Sequence, residues 1–414
     1  MFPSTTRRDF IRQSSLVALG SSAPLFWERV SQAAPKSDQP QGRDTVLMVI
    51  QLSGGNDGLN TVIPFQDPLY AAARPTIAQS ASKLLKINSS LGLHPNLTGL
   101  SKLLEQSQLA VVQGVGYPKP NRSHFVSMDI WHRASFSLDD PNGWLGKSLD
   151  GMPGTTSAIY VGTGETPLAV NAPSGRVTTL SRLEDYQLKV GSGAHEKQRR
   201  QAIEQFASDR STSSSAAGGL LGQMRLSARE SYRAAERLRE IGSKNGSNVK
   251  YPSTGLGERL KVAAQLIAAG VPDRIFYTTL DGFDTHSAQL LSHGDLLREL
   301  GDAIQAFHQD LAERGHGKRV LTATFSEFGR RVKENGSIGT DHGAASQMFL
   351  AGEAVVAGPH GEHPSLSDLD DGDLKYHTDF RRVYATLLQH WLGVASDAIV
   401  GPEFASLPLL KTTA

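Results

Sequence analysis

Five stretches of this chain set an apolar, strand-like run beside a cluster of Gly, Asp, His, Ser or Glu, and that repetition most constrains the fold. Val46 to Leu52 runs into Ser53-Gly54-Gly55-Asn56-Asp57-Gly58, and Leu109 to Gln113 leads to Asn121-Arg122-Ser123-His124. Arg274 to Leu280 meets Asp281-Gly282-Phe283-Asp284-Thr285-His286, and Val320 to Phe325 meets Ser326-Glu327-Phe328-Gly329-Arg330. Gly339-Thr340-Asp341-His342-Gly343 stands just before a shorter run, Gln347 to Ala351. In open α/β sheets ligands sit outside the carboxyl ends of the strands. Four of the clusters follow a strand-like run, so one shared site can collect all five. Oxygen and imidazole ligands gathered in this way suit a divalent metal.

The intervening segments read as helices. Leu97 to Gln106 places Leu97, Leu100, Leu103 and Leu104 on one face and is followed at once by a strand, a βαβ-like beginning. Asp295 to Glu313 carries the stripe Leu296, Leu297, Leu300, Ile304, Phe307 and Leu311. Asp379 to Leu392 closes the domain, with Thr378 or Asp379 as its cap. Between about 190 and 255 the chain turns charged, Ser-rich and helical, which reads as a helical insert or cap. The expectation is a single α/β domain over 45–414, with a central, mostly parallel sheet flanked by helices. The 39% hydrophobic content suffices for a sizeable core in 414 residues. With 0 cysteines, zinc–thiolate sites, iron–sulfur clusters, thiol catalysis and lipoprotein anchoring are excluded. A net charge of +1 gives no reason to expect a nucleic-acid partner.

Thr6-Arg7-Arg8-Asp9-Phe10-Ile11-Arg12 resembles the twin-arginine export signal. A weakly apolar stretch from Ser14 to Trp27 follows, too short and Ser/Gly-rich for a stable membrane anchor, and Ser31-Gln32-Ala33 offers a cleavage site. Residues 1–33 are therefore expected to be a signal peptide and 34–44 a linker. The resemblance implies export in the folded state by the twin-arginine translocase, to the periplasm or beyond.

Asp284 and His286, two apart in a loop, can turn a carboxylate and an imidazole toward one ion, or serve as a cap and an exposed side chain. Asp341 and His342 can both ligate only in a turn, which Gly339 and Gly343 permit; otherwise Asp341 fixes the tautomer of His342. Glu327 is a candidate ligand or general base, and Arg330 a candidate clamp for an oxyanion, with a salt-bridged strand end as the alternative. Arg122, Ser123 and His124 offer an anion-binding guanidinium, a hydroxyl nucleophile and a base or ligand. Ser53 to Gly58 reads as a tight Gly-rich turn before it reads as an anion nest or a cation site at Asp57. His132 is expected on a helix surface, and His293 and His308 as surface or packing residues.

Taken together, Gln51 to Asn60, Tyr117 to Trp131, Leu280 to His286, Ser326 to Arg330 and Gly339 to Gly343 resemble a bacterial family of twin-arginine-exported proteins catalogued as a domain of unknown function. That family is distantly similar to the alkaline phosphatase and sulfatase superfamily. The similarity implies an α/β sandwich and metal-assisted hydrolysis of phosphate or sulfate esters. It places Asp284, His286 and His342 at one metal site, with zinc, calcium or manganese as the ion. The second metal site of the superfamily looks eroded. Ser53 ends the first strand where Asp is expected, and Glu327-Phe328 replaces an Asp-His pair. Pro120 stands where the nucleophile usually lies, four residues before His124, which leaves Ser123 as the hydroxyl candidate. Two functions follow as expectations. One is an exported metal-dependent hydrolase acting on an anionic small-molecule or polymer ester. The other is a non-catalytic periplasmic binding or assembly protein on a degenerate scaffold.

Overall fold

Seven of the eight residues of β1 (Val46–Ser53) are buried, as befits a central strand whose run of Val, Leu, Met and Ile is apolar on both faces. The computed structural model describes residues 44–152, 157–172, 176–181 and 247–411. These belong to one unit, Pro35–Arg182 with Asn245–Ala414. The expected signal peptide, the linker up to residue 43 and the expected helical insert up to residue 246 lie outside the described residues. Residues 247–254 carry no helix.

Around β1 lie β2 (Leu109–Gly116), β3 (Ser157–Val161), β4 (Arg176–Leu180) and β5 (Ile275–Asp281). They are followed by β6 (Val320–Phe325), β7 (Ser346–Ala351), β8 (Gly358–His360) and β9 (Thr378–Asp379). The order across the sheet is β8–β2–β7–β6–β1–β5–β3–β4, with β9 also paired to β2. Every pairing is parallel except those of β7, which runs against β6 and β2. This one reversal brings the start of β7 to the rim where β1, β2, β5 and β6 end. The cluster that precedes its strand thus reaches the same edge as the four that follow theirs. The βαβ-like opening is looser than expected: β1 and β2 are parallel, but β6 and β7 are inserted between them.

Helices cover both faces. On one side α1 (Thr98–Glu105), α3 (Gly255–Ala268) and α4 (Gln289–Glu313) pack together. This layer meets even-numbered residues of β5 and β6: His308 Nε2 lies 2.9 Å from Thr322 Oγ1, and Arg259 Nε donates to Thr278 Oγ1 at 2.9 Å. On the other side α2 (His124–Arg133) and α5 (Phe380–Thr386) cover odd-numbered residues of β1, β5 and β6 such as Leu47, Val49 and Phe325. That alternation is the period-two signature of a strand. Trp131 of α2 stacks against Phe325 and Phe380, with ring centroids 5.4 and 4.3 Å away, and Trp144 stacks on Tyr384 at 4.0 Å. These contacts anchor the C-terminal half of α2 over the sheet and leave its first turn at the rim. Asp379, rather than Thr378, caps α5 by accepting from Arg381 N at 3.0 Å.

Two expectations change. Helix α4 begins at Gln289, six residues before Asp295, because its first turns are held by polar contacts that carry no apolar signal. Gln289 Nε2 donates to Asp57, and His293 Nε2 lies 2.9 Å from Asn56 Oδ1. His132 is not on a surface but buried, with Nε2 2.8 Å from Gln51 Oε1. Burial pushes the pKa of His132, His293 and His308 down to about 4 each. Among the described residues no helix is long and apolar enough to cross a membrane.

Candidate metal centre

Four side chains from three loops converge at the rim. His124 is the first residue of α2. Asp284 and His286 lie between β5 and α4, and His342 lies just before β7. Asp284 Oδ1 is 3.0 Å from His286 Nε2 and 3.1 Å from His342 Nε2, and Asp284 Oδ2 is 3.5 Å from His124 Nε2. The two nitrogens His286 Nε2 and His342 Nε2 stand 2.9 Å apart. Donor atoms of His124, Asp284 and His342 also lie within 4.8 Å of one another. The opening is toward solvent, since the Asp284 side chain is 48% exposed.

The opposite nitrogen of every imidazole is met by an acceptor. His124 Nδ1 is 2.8 Å from Glu327 Oε1, and His342 Nδ1 is 2.8 Å from the carbonyl oxygen of Arg122. His286 Nδ1 is 3.3 Å from Asp341 Oδ1. Carbonyls and carboxylates cannot donate, so these partners select the Nδ1–H tautomer in all three rings. Three Nε2 lone pairs then surround the Asp284 carboxylate with no proton among them, those of His286 and His342 on Oδ1 and that of His124 on Oδ2. His124 Nε2 is buried and without a hydrogen-bond partner. A proton on one imidazole relieves the 2.9 Å nitrogen pair but not His124. A cation beside the Asp284 carboxylate relieves the crowded lone pairs without a proton. For zinc, bonds of about 2.0–2.1 Å in a tetrahedron place donors roughly 3.3 Å apart; Asp284 Oδ1, His286 Nε2 and His342 Nε2 stand 2.9–3.1 Å from one another, and His124 Nε2 stands 3.5 Å from Asp284 Oδ2. Outer acceptors on the far ring nitrogen are the usual companions of metal-bound histidine.

The surrounding chain is shaped for this cluster. Glu327 is 1% exposed; its Oε1 accepts from Gly54 N at 2.8 Å as well as from His124, and Ser326 Oγ is 3.0 Å from its Oε2. The Glu327 hydrogen bond raises the His124 pKa, with burial opposing it. Gly54 has φ +117°, and a Cβ there would lie 2.4 Å from Asp284 N. Gly339 packs so closely that a Cβ would stand 2.3 Å from His286 C. These approaches account for the glycines of both motifs. The fully buried Arg330 donates to Gly55 O at 2.7 Å, Thr340 O at 2.8 Å, Phe283 O at 3.0 Å and Asp284 Oδ1 at 2.8 Å. Burial alone would raise the Asp284 pKa, but the hydrogen bond from Arg330 and its positive charge lead the opposing effects and hold the carboxyl at about 2. Asn335 Nδ2 donates to Asp341 Oδ1 and to His286 O, both at 3.0 Å, and keeps the Asp341 pKa low. The ring of Phe328 lies 4.9 Å from that of His124 and 4.6 Å from that of His342.

Over residues 43–400 the sequence matches a family described as "Protein of unknown function (DUF1501)". The chain belongs to the DUF1501 family. No curated protein matches the sequence. Among solved structures, this DUF1501 chain is similar to the PsFucS1 sulfatase from Pseudoalteromonas sp., at 12% identity and a TM-score of 0.41, covering 93% of this chain and 74% of that one. It is similar to the C-terminal periplasmic domain of EcEptC from Escherichia coli in a complex with Zn, at 12% identity and a TM-score of 0.39, covering 91% and 96%. A protein in the alkaline phosphatase superfamily from Vibrio parahaemolyticus matches at 11% identity and a TM-score of 0.34, covering 91% and 76%.

In this DUF1501 protein the sequence-expected residues divide into three groups. Asp284, His286 and His342 meet as donors, while Asp341 stands behind His286 as an outer partner. Glu327 and Arg330 touch the cluster but are enclosed: one holds His124, the other knits backbone carbonyls and Asp284. Arg122 and Ser123 present no group to the donors. The Arg122 guanidinium is engaged by Asp373 at 2.6 Å and Asp371 at 3.3 Å, and only its carbonyl reaches His342. Ser123 is the exposed N-cap residue of α2, and its hydroxyl makes no capping hydrogen bond. Ser53 to Gly58 is the tight turn: its Gly54 N–H serves Glu327, and Asp57 is buried against Arg74 at 2.6 Å. His124 joins the centre as a fourth donor. Its sequence signal was the Asn121-Arg122-Ser123-His124 cluster that follows a strand at the productive rim.

Proposed function

We propose that this protein is an exported, metal-dependent hydrolase-like protein acting on a phosphate or sulfate ester, with one divalent cation held by His124, Asp284, His286 and His342. The observation that supports it is the capping of all three Nδ1 atoms by acceptors, which leaves three Nε2 lone pairs around the Asp284 carboxylate. The ester class rests on the motif resemblance, and export by the twin-arginine route rests on the N-terminal sequence. A bound cation supplies Lewis-acid polarisation of an ester oxygen and lowers the pKa of bound water toward neutrality. Asp284 is the one charged donor among four, so a dication keeps a net positive charge to attract an anionic oxygen. Glu327 and Asp341 orient imidazoles from outside. Ser123, exposed beside His124, is the hydroxyl candidate. With both guanidiniums engaged by the protein, Arg122 and Arg330 contribute through structure rather than by gripping the ester.

Metal content measured on the purified protein tests the reading. Native protein is expected to hold about one zinc, manganese or calcium per chain, and His286→Ala and His124→Ala to hold markedly less at the same free-metal level. Equal content in native and both variants removes the assignment. A second reading, a non-catalytic binding protein, is favoured by Phe328, whose ring packs on two of the imidazoles at the position of the expected Asp-His pair. A panel of phosphate, sulfate and phosphonate esters separates the two. Turnover lost in Asp284→Asn supports the hydrolase, and absence of turnover in metal-loaded native protein supports the binding protein.

A further inference from the structure

Away from the metal centre, and sharing no residue with it, a cleft of about 560 Å³ opens between the segment after β8 and the stretch from Pro64 to Leu91. Its wall includes Gln113 of β2, only 3% exposed. Gln113 Nε2 donates to Gly361 O at 2.7 Å, which fixes the amide, while Oε1 is buried without a hydrogen-bond partner. Leaving such an acceptor unmet costs about 1–3 kcal/mol. A smaller space of about 20 Å³ behind it is also lined by Gln113, together with Gln347, whose Nε2 is likewise unmet. That inner space suits about one water. The outer cleft is the size that small organic ligands fill.

The charge on the walls narrows the class of ligand. Gln66, Asn88 and Ser90 are neutral donors and acceptors, Asp67 and Glu362 are acidic, and no Lys or Arg lines the cleft. His363 adds no positive charge, because burial lowers its pKa. An anion entering here meets two carboxylates and no cation, whereas hydroxyl groups find acceptors in the carboxylates and both donors and acceptors in the amides. Leu91 and Pro359 supply flat apolar area beside them. We propose that this cleft binds a neutral, hydroxyl-rich ligand of the saccharide or polyol class, its hydroxyls met by the wall carboxylates and amides, with the Gln113–Gly361 hydrogen bond fixing the wall.

The test is a titration of the full chain, followed by calorimetry and saturation-transfer NMR. The probes are glucose, N-acetylglucosamine and trehalose, with glucuronate as the anionic control and spermidine as the amine. The neutral sugars are expected to bind saturably, with Kd on the order of 1 mM. Gln113→Leu is expected to weaken them about tenfold, the loss of one buried hydrogen bond. Ser365→Trp, at the exposed lip, is expected to abolish binding with no change in melting temperature; this variant decides the matter alone should Gln113→Leu fail to fold. No saturable binding of any neutral sugar, binding that survives Ser365→Trp, or preference for glucuronate or spermidine overturns the proposal.

Discussion

Replacing Glu327 by Gln separates two roles that its sequence position allows. A general base must reach the substrate, yet this carboxylate is 1% exposed and its oxygens are occupied by Gly54 N–H, His124 and Ser326. The variant is expected to fold. An amide oxygen can take the place of Oε1, facing Gly54 and His124. The amide nitrogen then faces Ser326 Oγ, which can accept once its hydrogen, shared in the native protein between Leu52 O and Glu327 Oε2, is given wholly to Leu52 O at 2.7 Å. What is lost is the negative charge behind His124, which raises the basicity of that imidazole. Outer partners of metal-bound histidine are worth about 10–100-fold in metal affinity, or about 1.4–2.7 kcal/mol. Competition against a chromophoric chelator at neutral pH reads this directly. The metal Kd of Glu327→Gln is expected to rise by about that factor, while any ester turnover at saturating metal stays within severalfold of native. Unchanged metal affinity together with abolished turnover would falsify this account and restore Glu327 as the base.

Other outcomes follow from the same contacts. Burial lowers the pKa of His94, His132, His293 and His308 to about 4 each, below the unfolded value near 6.5. The unfolded chain therefore takes up protons first as pH falls, and each histidine removes about 1.4 kcal/mol of stability per pH unit through that window. Melting temperature is expected to fall steeply from pH 6.5 toward pH 5; a flat profile refutes it. Arg74→Leu strands the buried carboxylate of Asp57, 2.6 Å away, and removes Arg74 donations to Val332 O and Arg331 O. Denaturant unfolding is expected to show a loss of about 3–5 kcal/mol, and a loss under about 1 kcal/mol argues against a stringent buried pair. Gly54→Ala forces a Cβ to 2.4 Å from Asp284 N at φ +117°, so metal retention should drop even where circular dichroism shows a folded sheet. Full retention there shows that the Asp284 loop can yield.

Much of the scaffold was legible because its strands are continuous apolar runs and its rim is marked by polar breaks. The cluster at Gly339–Gly343 fitted only as an exception, and the reason is topological: reversal of β7 is a pairing property that no local pattern carries. The meeting of Asp284, His286 and His342 was readable from residue type and loop position. His124 was readable as a ligand or base, but choosing between these requires knowing that Glu327 occupies its Nδ1. Arg330 and Arg122 misled for the same reason. A guanidinium looks like an anion clamp in sequence, whereas packing shows its donors already spent on carbonyls or on Asp373. His132 shows the limit of periodicity, since a buried polar trio with Gln51 and Tyr277 replaces an apolar contact.

Because β7 doubles back beside β6, the chain from Ser326 to Ala345 never crosses the sheet. It spends its whole length on one edge, carrying Glu327, Arg330, Asp341 and His342 on a single covalent bow. Asn335 ties that bow to the segment bearing His286. Under the metal-binding proposal, ion release should therefore be a concerted event, with the bow loosening as one piece, and not a sequence of independent departures. Hydrogen exchange across 326–345 should speed up together when the ion is stripped away.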